Sequence, residues 1–189
     1  MGLSIAIRPC LTAALSVAFG SMLLAAPRTV LGETPGAAWP TGAFAGWRDD
    51  NGQTFDLRSV GGRVAIVTMA YTHCRLVCPM VFERLQQMQQ ELDSRGQAAE
   101  FFVIGFAGVG DDPMAWHRYR ISRHLTRENW HFLSGSETDT RRFARTFGFE
   151  YWRYDEHVMH GFQIFVFGAD GTQRTQIGME DGPWHDTGP

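Results

Sequence analysis

Ala70-Tyr71-Thr72-His73-Cys74-Arg75-Leu76-Val77-Cys78-Pro79 lies between an apolar run, residues 64–69, and a helical pattern, residues 81–92. Together they read as a buried strand, a turn and the start of a helix, with two cysteines separated by three residues at the junction. On a helix, positions i and i+4 share a face with Cβ atoms about 5–6 Å apart. Two thiols so placed can close into a disulfide or hold one metal ion. A helix N-terminus also lowers a thiol's pKa, and the thiolate is both the nucleophile and the metal ligand.

Working outward, Asp49-Asp50-Asn51-Gly52 between short apolar runs at residues 43–47 and 54–57 is a hairpin signal. Gly61-Gly62 then breaks the chain before the strand. Pro79 falls just inside the helix start, where its missing N–H costs little, and Leu85, Met88 and Leu92 recur at spacings of three and four until Gly96. Residues 100–106 (EFFVIGF) predict a second strand, and Asp111-Asp112-Pro113 a capped helix over 114–125. Residues 130–133 predict a short strand, and Ser136-Glu137-Thr138-Asp139 a capping box for a helix running over 140–147 to Gly148. Strands follow at 149–154, 162–167 and 173–177, the last two joined by the turn Ala169-Asp170-Gly171. Strands alternating with helices predict an α/β fold with a central, mainly parallel sheet flanked by helices, plus an N-terminal and a C-terminal β-hairpin. A cysteine pair directly after a central strand makes that domain thioredoxin-like, by fold-level analogy.

The chain has 189 residues, 44% hydrophobic and 20% charged, which suits one globular domain. Its 17 basic residues are all Arg; those at 120, 123, 127, 141, 142 and 145 read as solvated helix faces. A net charge of −3 excludes nucleic acid as an expected partner. Residues 1–32 read as a signal peptide or N-terminal anchor, with Arg8 ahead of an uncharged apolar stretch over 11–26. The protein is therefore expected to be exported, periplasmic or anchored facing the periplasm. Cleavage after Gly32 would remove Arg8 and Arg28, taking the charge from −3 to −5, and would also remove Cys10. Cys74 and Cys78 would then be the only thiols, which suits an oxidising compartment or a redox role. Residues 33–41 read as a lead-in, 42–178 as the domain and 179–189 as a polar tail.

Soft sulfur donors select Cu(I), zinc or iron–sulfur clusters, and two ligands are too few for a zinc cage or a cluster. A third ligand is therefore sought elsewhere. The leading candidate is His160, just before the strand at 162–167; His73, His157 and His185 are the alternatives. Two thiolates and an imidazole suit copper in either oxidation state and leave a position open for onward transfer. A structural disulfide, or a dithiol used only for electron exchange, would also account for the pair.

The segment Tyr71-Thr72-His73-Cys74 through Cys78-Pro79, with a distant His160 ahead of an apolar strand and the turn Asp170-Gly171, resembles the Sco/SenC family over roughly residues 40–178. These are thioredoxin-like, copper-binding proteins that assist assembly of the binuclear copper centre of cytochrome c oxidase. The resemblance implies Cys74, Cys78 and His160 as copper ligands, a role as a metallochaperone, and an oxidase subunit or another cuproprotein as partner. Another copper chaperone or a thiol reductant would be a further partner. Three departures stand out. Arg75-Leu76 replaces the family's Pro-Asp, Ala107 falls where the family has an Asp, and the residues after 178 are too polar and Gly/Pro-rich for the family's C-terminal helix. The rival functions are a thiol–disulfide oxidoreductase that reduces the cysteines of a target site, with Cys74 and Cys78 as its redox pair, and a thioredoxin-superfamily peroxidase.

Overall fold

The apolar run after Gly62 becomes β1 (Val64–Ala70), and burial of six of its seven residues fixes it at the centre of a five-stranded sheet. The computed structural model describes residues 46–55, 62–155 and 157–182. After β1 come α1 (Val77–Ser94), β2 (Ala99–Gly105), α2 (Pro113–Ser122), β3 (Trp130–Leu133) and α3 (Glu137–Phe147). They are followed by β4 (Tyr151–Tyr154), β5 (His157–His160), β6 (Ile164–Phe167) and β7 (Gln173–Ile177). The sheet order is β3-β2-β1-β6-β7; β4 and β5 pair as a separate antiparallel ribbon. β1, β2 and β3 are parallel, while β6 runs antiparallel to both β1 and β7. The expected thioredoxin-like architecture is present, with a sheet more mixed than mainly parallel.

Aromatic side chains close both faces of this sheet. Phe82 of α1 and Trp116 of α2 both pack on Phe132 of β3, with ring centroids 6.2 and 5.3 Å apart. Strand neighbours in register point to the same face and successive residues to opposite ones. Phe165, Val67, Phe102 and His131 therefore share the other face, where Phe147 of α3 meets Phe165 and Phe167. Packing on both sides explains why the sequence shows continuous apolar runs in β1 and β2 instead of alternation.

Several boundaries move for identifiable reasons. α1 begins four residues before the periodic pattern, so Pro79 is its third residue, still within the turn whose N–H groups lack helical partners. α2 stops at Ser122 because Arg123 caps it and His124 takes a left-handed φ of 56°. The expected N-terminal hairpin contracts to a turn over Asp49–Gly52 with the single bridge Arg48–Thr54; Arg48 also bridges Ser134, extending the β3 edge. The remainder of that hairpin, residues 1–32, the lead-in at 33–41 and the tail from 183 onward lie outside the described residues. β5 was not expected at all. Among the described residues no helix follows β7, and none is long and apolar enough to cross a membrane. Residues 181 and 182 instead give their carbonyls to the Arg84 guanidinium of α1 at 3.1 and 2.6 Å.

Arg120 corrects the reading of its arginine run as a solvated face. Its guanidinium meets the buried Asp50 carboxylate at 3.0 and 3.1 Å and donates to the carbonyls of Leu125 and Arg127. It thus ties the turn before β1 to α2 and the loop after it. Removing one partner of such a pair leaves an uncompensated buried charge. Arg120→Ala is expected to lower unfolding free energy by about 3 kcal/mol in urea titrations. Pairing it with Asp50→Asn should recover part of that loss, because the stranded charge is then gone.

Candidate metal centre

The turn from the end of β1 into α1 brings Cys74 and Cys78 together, although only Cys78 is helical. The sulfur of Cys74 accepts the Cys78 N–H at 3.3 Å, so it satisfies one of the unpaired donors of the first helical turn. The Cys74 N–H in turn reaches the Tyr71 carbonyl at 3.2 Å. Both cysteines are reduced and buried, Cys78 completely.

The third residue arrives from the ribbon. His160 ends β5, and its Nε2 lies 3.5 Å from the Cys78 sulfur. Its Nδ1 sits 2.9 Å from the Gly161 carbonyl, which can only accept. Nδ1 therefore carries the hydrogen of the neutral ring, and Nε2 presents a lone pair to the thiols. Phe106 and Tyr71 hold the ring at centroid distances of 5.0 and 5.9 Å, and Tyr151 lies opposite His160 in the ribbon. One ligand atom from each of Cys74, Cys78 and His160 falls within 4.8 Å of the other two. An ion with bonds of about 2.0–2.3 Å needs only a small closure of that triangle.

The thiols are unequal. A hydrogen bond from the Cys78 thiol, joined by the N–H groups of Cys78 and Leu76, holds Cys74 far below the ordinary thiol range despite burial. The same Cys74 contact, burial and the Cys74 charge push Cys78 above that range. Cys74 is thus the thiolate and Cys78 the thiol that donates to it.

The other candidates separate clearly. His157 opens β5 on the exposed side of the ribbon, outside the cluster, and His185 lies outside the described residues. His73 is exposed and bonded to Thr72 rather than to the cysteines. His160 was expected in front of a strand of the main sheet; it stands instead at the end of the separate ribbon, joined to that strand by residues 161–163, and the chain turns it back over the site.

One residue of the site went unread. Asp112 caps α2 by accepting the Ala115 N–H at 2.7 Å, which leaves Asp111 free to face the cysteine turn. Its buried carboxylate receives the Thr72 N–H at 3.0 Å and the Thr72 hydroxyl at 2.6 Å, and burial pushes its pKa up to about 6 against those bonds. The available signal was the doubled acid: one N-cap accommodates one side chain, so Asp111-Asp112-Pro113 contains a spare carboxylate.

The depressed Cys74 pKa keeps the thiolate populated well below pH 8. Its iodoacetamide alkylation rate should stay flat between pH 8 and 6, where an ordinary thiol slows about tenfold per pH unit. Mass spectrometry of the labelled peptides should find the label on Cys74 rather than Cys78. A steep decline in that range would show that the thiolate is not stabilised.

With this geometry in place, comparison with known proteins is informative. The family model described as SCO1/SenC matches residues 40–185. An SCO1 protein homolog from Bacillus subtilis (strain 168) is 22% identical over 145 residues, spanning 74% of this chain and 75% of that protein. The crystal structure of Arabidopsis thaliana ScoI with copper bound superposes with a TM-score of 0.64 at 17% identity, covering 72% of this chain and 87% of that one. BsSco, described as a member of the Sco family of cytochrome c oxidase assembly proteins with a disulfide switch, gives 0.63 at 21% identity over 72% of this chain and 83% of its own.

Proposed function

The chain belongs to the SCO1/SenC family, and on that premise we propose that it is a copper metallochaperone in which Cys74, Cys78 and His160 hold the ion. Sco proteins are copper-binding proteins of cytochrome c oxidase assembly. The observation that carries the reading is the convergence of two sulfurs and an oriented imidazole lone pair within 4.8 Å. Soft thiolates favour Cu(I), the imidazole also accommodates Cu(II), and three protein ligands leave room for a donor from another molecule. Copper then moves by ligand exchange to the binuclear centre of an oxidase subunit or to another cuproprotein. Binding requires both sulfurs as thiolates, so loading releases the Cys78 proton, and a Cys74–Cys78 disulfide blocks it.

A second reading has its own observation. A stabilised Cys74 thiolate beside a protonated Cys78 is the arrangement of an attacking and a resolving thiol. In a thiol–disulfide oxidoreductase Cys74 attacks a target disulfide and Cys78 releases the product. The disulfide switch described for BsSco agrees with redox use of such a pair. His160 separates the two functions, since thiol exchange does not need an imidazole ligand. The pattern of residues 1–32 supports action outside the cytoplasm, periplasmic or membrane-anchored. Cell fractionation checks this, and a cytoplasmic pool of full-length chain would contradict it.

Copper titration of the reduced protein tests the main reading. Wild type should take one copper per chain, and His160→Ala should bind at least tenfold more weakly while keeping its reaction with disulfides. No tight copper in wild type, with both thiols free, would leave the oxidoreductase as the function.

A further inference from the structure

His73 stands outside the Cys74–Cys78–His160 group, exposed on the turn that carries Cys74, yet its hydrogen bonding is as ordered as that of His160. The Asp111 carboxylate collects the Thr72 N–H at 3.0 Å on Oδ1 and 3.3 Å on Oδ2, and the Thr72 hydroxyl at 2.6 Å. A carboxylate taking these donors is an acceptor, so the single hydroxyl hydrogen of Thr72 is committed to it. The same hydroxyl oxygen lies 3.0 Å from His73 Nδ1. With its hydrogen committed, Thr72 Oγ1 can only accept there. Nδ1 therefore carries the hydrogen of the neutral ring, and Nε2 is a lone pair directed away from Thr72. Orienting an imidazole through its other nitrogen by way of a carboxylate is how metal-ligating histidines are prepared. Here the carboxylate acts through a threonine hydroxyl.

The site therefore has two imidazoles of the same tautomer. His160 turns Nε2 inward to Cys78, whereas His73, one peptide from Cys74, is exposed and bound to Thr72 through Nδ1, so Nε2 stays available. We propose that His73 is an accessory copper ligand at the mouth of the site, through which the ion enters from and leaves to a second soft-donor molecule. The inference rests on the copper reading above. In the exchange step a bond from His73 Nε2 to Cu(I) forms as one bond between copper and a resident ligand breaks. His73 Nε2 binds through its lone pair and the ion stays monovalent, so no electron moves; when the bond that breaks is the one to Cys78, that sulfur takes back the proton released on loading. Thr72 and Asp111 act as positioning residues for His73.

Two measurements on the reduced full chain test this. Nitrogen-15 NMR of the imidazoles in the copper-free protein should show His73 protonated on Nδ1, and this order should be lost in Thr72→Val; the Nε2–H tautomer in wild type would overturn the proposal. Stopped-flow transfer of one bound Cu(I) to the chelator bathocuproine disulfonate should slow about tenfold in His73→Ala. Equilibrium affinity should stay within about twofold, and His73→Met, which restores a soft donor, should recover the rate. Equal transfer rates with intact affinity would overturn the proposal while leaving the chaperone function standing. Loss of stoichiometric copper in His73→Ala would make His73 a resident ligand and also overturn it. Absence of copper in wild type would remove the chaperone function itself, and this proposal with it.

Discussion

The short turn Tyr71–Leu76 must carry the chain from the buried end of β1 into the first turn of α1 while leaving two sulfur atoms side by side. Everything else about the site depends on that closure. Nothing in the N-cap residue's own side chain satisfies the helix start: Leu76 makes no capping bond and is 78% exposed. The Cys74 sulfur substitutes by accepting the Cys78 N–H, so the group that starts the helix is also one of the proposed metal ligands. From the other side Asp111 grips the Thr72 N–H and hydroxyl, and Ser134 fixes the Asp111 carbonyl at 2.8 Å. β1, α1, the N-terminus of α2 and the end of β3 thus converge on the turn.

This closure has an electrostatic consequence. Charge is concentrated on a single sulfur, since the hydrogen bond that lowers Cys74 is the one that raises Cys78. A buried dithiol with one stabilised charge avoids the repulsion of two adjacent thiolates until an ion or an oxidant removes the second proton. On the proposed reading, copper loading and disulfide formation therefore compete for the same two sulfurs. In that reading His160 would bias the competition toward metal, because its lone pair is aimed at the thiols while Phe106 and Tyr71 restrict the ring.

One departure from the family pattern falls on the surface of the site. Arg75 and Leu76 lie exposed between the two cysteines, where the resembled proteins carry Pro-Asp. Tyr71–Met80 and His157–Gly161 contain no carboxylate, so on the segments that bear the three candidate ligands Arg75 is the one full charge besides the Cys74 thiolate. Among the described residues no helix follows β7, and the bonds of Arg84 to the carbonyls of residues 181 and 182 hold the chain there against α1.

Local chemistry made much of this protein legible in sequence. The strand–turn–helix around Cys74 and Cys78 follows from an apolar run, a proline and a 3.6-residue period. The α3 capping box, with Ser136 and Asp139 bonded reciprocally, follows from four adjacent residues, as does Asp112 at the start of α2. His160 could be named because a cysteine pair needs a third ligand, and its place ahead of an apolar strand with the turn Asp170-Gly171 matched the resembled family. What the sequence left undetermined involves partners far apart along the chain. The β4–β5 ribbon that carries His160 is short and largely exposed, so it lacks the apolar period that marks a buried strand. Asp111 reads as a cap until the fold sets it beside Thr72, 39 residues away, and Arg120 reads as a solvated face until it meets Asp50, 70 residues away. Sequence fixes what neighbours within a helical turn can do for one another. Which distant carboxylate, imidazole or guanidinium fills a buried valence is decided only when the sheet and its helices pack.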